Sequence, residues 1–431
     1  MSGQHRDHRL LRVAVAGLAI AILSALTVVL TQPAQAQSFK VIYTFTGGQD
    51  GANPVAGLTM DRAGSLYGTA QFGGKGFDGK GFGTVFKLTP KGSGWVLNPL
   101  YSFQGGSDGA TPSARVIFGP DGSLYGTTTN GGNSGCQQYG NGCGTVFNLK
   151  PPVTTCKTAL CPWTETGLYR FTGGSDGALP QNGDLLIDQS GVIYGTTMKG
   201  GSDNLGVIFS LTPSQGAWIY TVLYSFTGGN DGANPYSGVI RGNARNLYGT
   251  ASGGGSYGWG TVYELTPSGS GWQEKTLFSF SGTQQSGWGI YPVGGLIFDG
   301  TGNLYGTTES SMAYGPGGTI FELTFSNGSW TVTHYLDLGG SSSDAEGPFD
   351  SLAMDAAGNL YGTYIPTQYG QPAPGEVFKV LPDWTLNSLY GWTYGGFPFG
   401  GVILDPSGNV YGTTYLTNEQ GGYGTVYEIT P

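Results

Sequence analysis

Basic side chains are scarce in this sequence. Eighteen Lys and Arg stand against 27 Asp and Glu, charged residues total 10%, and the formal net charge is −9. A polyanion binder needs a basic face that displaces counterions, so nucleic acid is excluded as a partner. Histidine is scarcer still. Of three, His5 and His8 lie in the N-terminal leader, and only His334 remains beyond it. Sites that need several histidines are therefore out of reach, and a Ser-His-Asp triad would have to use His334. That residue sits in WTVTHYLDL, a strand-like run far from any nucleophile motif, and reads as a surface strand residue. Long apolar runs are missing after residue 30, so no membrane span is expected in the mature chain.

The one long apolar run, VAVAGLAIAILSALTVVL at 13–30, follows a basic-leaning stretch with Arg6, Arg9 and Arg12 and precedes Ala34-Gln35-Ala36. This is the layout of a cleavable signal peptide over residues 1–36. It implies a secreted or periplasmic protein whose mature part, 37–431, is expected to act as a monomer. Cysteine is rare and clustered: Cys136, Cys143, Cys156 and Cys161 are the only four. Export and an even count favour disulfides. GTVFNLK, between Cys143 and Cys156, reads as a strand spanning about 20 Å, whereas bridged Cα atoms lie about 5.5–6 Å apart. The pairs should therefore close locally, Cys136 with Cys143 and Cys156 with Cys161. The same distance argues against one zinc ion on all four thiolates.

Glycine is abundant, 81 residues, alongside 26 Tyr. Tyr-Gly-Thr recurs seven times, at Tyr67, Tyr125, Tyr194, Tyr248, Tyr305, Tyr361 and Tyr411. The spacings, in the fifties except where the cysteines are inserted, suit a four-stranded propeller blade. Each unit holds a short apolar run (GLTMD, DLLID, GLIFD, GVILD), a tight turn, the Tyr-Gly-Thr run, a Gly-rich loop, a GTVF-type run and a run ending in LYSF. Val, Ile, Phe, Tyr and Thr dominate these runs, as strands prefer. GGxDGAxP then leads to the next unit. It is the longest connector of near-constant length, as a link crossing three inter-strand gaps of about 4.8 Å must be. That places GLxxD innermost, Tyr-Gly-Thr second, GTVF third and LYSF outermost. The mature chain opens with a lone LYSF-type run, Phe39–Phe45, and ends with the other three strands of a unit. The sequence thus predicts an all-β fold, a single seven-bladed β-propeller of four-stranded antiparallel blades. The N-terminal strand completes the C-terminal blade. A competing register makes each unit from Phe39 its own blade and loses this closure. The Gly after each Tyr is expected to let adjacent blades approach closely, and inner strands are expected to be buried on both faces.

The phrases YGTT…GG…GTVFxLTP, LYSFxGGxDGxxP and GLxxDxxGNLYGTT resemble the Gloeo/Verruco repeat of exported bacterial proteins termed choice-of-anchor tandem repeat GloVer-containing. The resemblance covers about residues 39–431, with degenerate GGxDG segments near 281–292, 339–348 and 395–398. It implies an extracellular location and tandem repeats without an established activity.

Candidate sites are sought where units depart from the pattern, since a feature shared by most blades is usually architecture. A GxGxxG match at Gly74–Gly79 precedes a strand and not a helix, which excludes a dinucleotide site. The recurring Asp50, Asp108, Asp176 and Asp231 of GGxDG could ring a Ca²⁺ ion, but Asp between glycines more simply bonds its own turn. Before the inner strand, where most blades carry Gly or Ser, stand Arg115 and Asp184, expected to face each other near the central channel. Asp350, at the adjoining position, and Glu309 add acidity to the same face. Asp344, Glu346 and Asp350 form the best cation candidate, so Ca²⁺ is the one cofactor left open. Trp259 and Trp288 lie in loops and suit stacking on sugar rings, whereas the recurring Trp95, Trp218, Trp272 and Trp330 suit blade packing. The leading reading is a non-enzymatic binding or surface-interaction module that recognises glycans or cell-envelope components through its channel face. Alternatives are a polysaccharide-acting enzyme using Glu309, Asp184 or Asp350, and a purely structural repeat protein. Glycoside hydrolysis would need two carboxylates about 5–9.5 Å apart across a cleft.

Overall fold

The computed structural model describes residues 37–430, apart from 76–79, 137, 153–162, 284–288, 312–317, 339–346, 366, 369–370, 373, 394 and 418–421. Seven four-stranded antiparallel sheets form the blades of a β-propeller. Blade one is built from Thr59–Met60, Leu66–Ala70, Thr84–Lys91 and Gly94–Ser102, in that order from the channel outwards. The chain's inner, second, third and outer runs therefore take the positions assigned from connector length. In blade seven, Ile403–Leu404, Val410–Thr414 and Thr425–Thr430 are completed by Ser38–Thr44. The Phe45 N–H donates to Gly424 O at 3.0 Å. The register that closes the ring is the one adopted. Among the described residues no helix is long and apolar enough to cross a membrane.

The core consists of layers between blades. One layer joins Tyr67, Val85 and Phe103 of blade one to Val116, Leu124 and Phe147 of blade two. Another joins Ile42, Phe45 and Val426 of blade seven to Leu58, Leu66 and Phe86 of blade one. In five of these layers a Phe following the outer strand meets a third-strand ring edge-on, and Leu338 and Trp392 hold its place in the other two. Phe45–Phe86, Phe103–Phe147, Phe226–Tyr263 and Phe280–Phe321 all have centroids 5.2 Å apart. Such pairs contribute about 0.5–1.5 kcal/mol each beyond area burial. The second strands are buried along their whole length in blades one to four. The inner strands differ from expectation. They are only two residues long and half-buried, because one face lines the channel.

The glycine of Tyr-Gly-Thr also has a different role from the one expected. A Cβ on Gly68 would lie 2.6 Å from Cζ of Phe86 and 2.8 Å from Leu58. Both neighbours belong to the same blade, so the glycine makes room for its own third-strand ring and not for the adjacent blade. Blade-to-blade stitching falls to the threonine. Thr69, Thr196, Thr250 and Thr413 donate to Ala114 O, Ser237 O, Gly294 O and Ala56 O of the next blade at 3.0, 2.8, 3.1 and 3.1 Å. The last of these bonds ties blade seven to blade one. Thr307 of blade five is the exception: its buried hydroxyl oxygen has no hydrogen-bond partner.

At the opposite end of the strands the tyrosine of the motif is covered by a tryptophan from the next blade. Trp163 lies against Tyr67, Trp218 against Tyr125, Trp272 against Tyr194 and Trp384 against Tyr305, all at 6.4 Å, and Trp95 against Tyr411 at 6.1 Å. The recurring Trp residues are thus packing elements of the seams.

Candidate functional site

The inner strands enclose a channel cavity of about 540 Å³ lined mainly by Leu, Ile and Met, including Met60, Ile117, Leu186, Ile240, Ile297 and Ile403. Polar groups gather where the connectors arrive. Six of the seven residues that open the inner strands are Gly, Ser or Asp; the exception is Arg115, from blade two. Its backbone N–H donates to Asp184 Oδ1 at 3.1 Å, its Nε donates to Asp184 Oδ2 at 2.8 Å, and its second guanidinium nitrogen donates to the same oxygen. Both side chains are about a quarter exposed. The expected pairing of these two departures is therefore present, as a charge-assisted fork.

Asp350 of blade six joins them from across the mouth. Its Oδ2 accepts from Gly401 N–H at 2.7 Å and its Oδ1 from Ser351 N–H at 2.6 Å. A Cβ on Gly57 of blade one would lie 3.4 Å from Asp350 Oδ2 and 3.8 Å from the Arg115 guanidinium, so both charged groups converge on this glycine. The Arg115 guanidinium is held charged, its pKa raised by Asp184 first and by Asp350 as well. Burial pushes the Asp184 carboxyl up, against the pull of Arg115. Blades two, three and six thus supply one cation and two anions that cap the apolar channel.

Glu309 stands further out on this face. Its backbone N–H donates to Tyr291 O at 2.9 Å, and its carbonyl accepts from Gly347 N–H at 2.9 Å. Burial, and then the Glu309 carboxylate, push the Tyr236 phenol up to about 12. Tyr236 also accepts a hydrogen bond from Gln181 Nε2 at 3.4 Å. Tyr236 was not anticipated; the available signal is that it follows Pro235, where other connectors carry Val, Ser, Gln or Phe. Trp259 is packed edge-on against Tyr291, centroids 5.4 Å apart, and its carbonyl accepts from Tyr291 N–H at 3.0 Å. Trp288, Asp344 and Glu346 lie outside the described residues.

The carboxylates of GGxDG are occupied by their own turns. Asp50 accepts from Thr46 N–H at 2.8 Å, Thr46 Oγ1 at 2.6 Å and Tyr43 OH at 3.0 Å. Asp176 and Asp231 repeat the pattern with Tyr169 and Thr172, and with Tyr224 and Thr227. Burial and the nearby Asp push each of these Tyr phenols upward. Cys136 and Cys143 are bridged, with Cα atoms 5.7 Å apart. Cys156 and Cys161 lie outside the described residues. His334, 55% exposed at its side chain, is paired through Nδ1 with Glu322 at 2.5 Å and stacks on Trp384 at 5.3 Å.

The Gloeobacter/Verrucomicrobia repeat matches residues 26–243 and 180–427. No curated protein matches the chain. Similar solved structures include a protein from Lactobacillus plantarum, 14% identical with a TM-score of 0.47, covering 84% of this chain and 98% of that one. A hypothetical selenium-binding protein from Sulfolobus tokodaii is 13% identical with a TM-score of 0.46, covering 74% of each chain. Trypanosoma rangeli sialidase in complex with sialic acid is 12% identical with a TM-score of 0.44, covering 92% of this chain and 59% of that one. At these levels the likeness bears on neither ligand nor activity.

Proposed function

Because this chain belongs to the Gloeobacter/Verrucomicrobia repeat family, we propose that it is an exported, non-catalytic propeller that binds a glycan or another cell-envelope component at the charged mouth of its channel. The observation that carries this reading is the convergence of Arg115, Asp184 and Asp350, three departures from the repeat, on one spot. Their carboxylates already accept hydrogen bonds from Arg115 and from the Gly401 and Ser351 backbone. Groups engaged in this way are suited to presenting fixed charge to a polar ligand, and less to the proton exchange that glycoside hydrolysis demands. Export is supported by the leader pattern of residues 1–36 and by the Cys136–Cys143 bridge, which persists in oxidising compartments.

The test is a glycan and cell-wall-fragment array probed with the purified chain, run beside a polysaccharide hydrolase panel. Retention without turnover, weakened about tenfold by Arg115→Met, is the expected result. Release of reducing ends, lost in Asp184→Asn or Asp350→Asn, would replace this reading by the enzymatic one. A processed N-terminus at Gln37 in the extracytoplasmic fraction is the expected outcome for export, and an unprocessed chain in the cytosol overturns it.

A further inference from the structure

The seam between blades four and five departs from the rest at the turn end, away from the channel mouth. Blade four is built from Ile240–Arg241, Leu247–Ala251, Thr261–Ser268 and Gly271–Ser279. Blade five is built from Ile297–Phe298, Leu304–Thr308, Thr319–Ser326 and Ser329–Asp337. Elsewhere the first turn of a blade is pinned by an Asp. Asp405, for example, accepts from Ser407 and Asn409 N–H at 2.8 and 2.9 Å and from Tyr411 OH at 3.4 Å. In blade four Gly242 takes the place of that Asp. The turn runs through Ala244 and Arg245 with φ of 54° and 68°, a left-handed conformation that costs a side-chain-bearing residue about 1–2 kcal/mol. Tyr248 OH donates to Glu264 Oε1 at 2.5 Å, as Tyr411 OH does to Glu428 at 2.8 Å, and here Asn246 Nδ2 donates to the same oxygen at 2.6 Å.

The blade-five side departs as well. Where the third strands of blades one, three, four carry Leu-Thr-Pro, it carries Leu-Thr-Phe, and Phe325 is 55% exposed. The register shift between third and outer strands falls at Glu322/Leu323, two residues nearer the turn than in blade four, where it falls at Val262/Tyr263. Trp330 packs on the layer that contains Tyr248, as Trp272 packs on the layer of Tyr194, and it also meets Phe325, with centroids 5.5 Å apart and planes at 51°. What results is a cleft of about 740 Å³ bounded by Phe325 and Trp330 on one side and by Asn243, Glu264, Lys275 and Asn303 among its polar lining.

We propose that this cleft is a carbohydrate site, in which Phe325 and Trp330 stack on the C–H face of a pyranose unit of an oligosaccharide while its hydroxyls meet the Asn243, Asn303 and Glu264 side chains. Aromatic rings beside planar hydrogen-bonding groups are what a sugar, apolar on its faces and polar at its rim, requires. Two unrelated local costs meet here, a strained turn on one blade and an exposed Phe on the other. Strain persisting where the repeat supplies an unstrained alternative marks a place kept for a ligand. Lys275 is exposed and forms no ion pair with a described carboxylate. It is the group that would distinguish a uronate from a neutral sugar. This site is distinct from the channel mouth and does not depend on it.

The experiment is titration calorimetry of the full chain with two sets of soluble oligosaccharides, neutral glucose- and xylose-based ones and uronate-based ones, with tryptophan fluorescence as a second readout. Saturable binding of at least one set is expected. Phe325→Ala should weaken it about tenfold. Phe325→Pro, which restores the sequence of the other blades, should abolish it with the denaturation midpoint unchanged or raised. Lys275→Met should weaken only the uronate set if that set binds. Absence of saturable binding to both sets overturns the proposal, as does binding that Phe325→Pro leaves intact. Binding that survives Phe325→Pro but is lost in Arg115→Met belongs to the channel mouth. That result would sink this site while upholding the reading of the mouth.

Discussion

The seams on either side of blade four make opposite use of the same parts. Between blades three and four, Trp272 covers Tyr194 at 6.4 Å, and Arg241 pairs with Asp188 at 3.1 Å while lying over the Tyr194 ring. Between blades four and five, Trp330 meets the exposed Phe325 as well as the layer around Tyr248, and a cleft of about 740 Å³ opens beside them. Both seams remain stitched at the connector end, by Thr196 and Thr250. The contrast separates two kinds of residue in a repeat protein. Those that obey the unit hold the ring together, and those that break it open space between blades.

The largest effect should come from removing the two tryptophans. Trp272→Ala is expected to cost about 2–3 kcal/mol, a full aromatic truncation discounted for partial burial, whereas Trp330→Ala should cost about 1 kcal/mol or less. Urea denaturation midpoints decide this, and equal losses would mean that the two seams are equally closed. A smaller effect is expected from the threonine stitches. Thr196→Val removes a hydrogen bond of 2.8 Å and should cost about 1 kcal/mol. Thr307→Val replaces a buried hydroxyl that has no partner, and should be neutral or slightly stabilising. The smallest effect is electrostatic and belongs to the closed seam. Burial pushes the Glu274 carboxyl up to about 7, opposed by a hydrogen bond from Thr276. A carboxyl whose folded pKa exceeds its unfolded one favours folding at low pH, and that contribution disappears as pH rises through the folded value. Stability should therefore fall between about pH 5 and pH 8, and Glu274→Gln should flatten part of that slope. Glu165, likewise raised to about 7 by burial, should retain the remainder.

Most of the fold was legible because its signals repeat. Seven copies of Tyr-Gly-Thr, one connector length and a lone first strand fix blade number, strand order and closure without any long-range inference. Arg115 and Asp184 could be found as departures at a position otherwise held by Gly or Ser, and the ring geometry makes such departures neighbours. The roles inside a seam were harder to read. The repeat pattern points to contact between blades for Gly68, yet its near neighbour Phe86 sits on the same blade, and which ring crosses which strand is set by packing that the pattern does not encode. Trp330 looked like Trp272 because it occupies the same place in the unit. What sets its surroundings apart is Phe325 and a register shift displaced along the strand, and neither is visible in the tryptophan itself.

The pairing of Ser38–Thr44 with Thr425–Thr430 has a kinetic meaning. Ser38–Thr44, made before every other strand of the ring, docks on Thr425–Thr430, so this pairing spans the whole propeller in sequence, and such long-range pairings form slowly. Until Thr425–Thr430 has been made, blade seven cannot be completed and the inter-blade layer around Ile42 and Phe45 stays open to solvent. A propeller wired in this way stays an open arc until its C-terminal three strands are made, and only then can the circle snap shut.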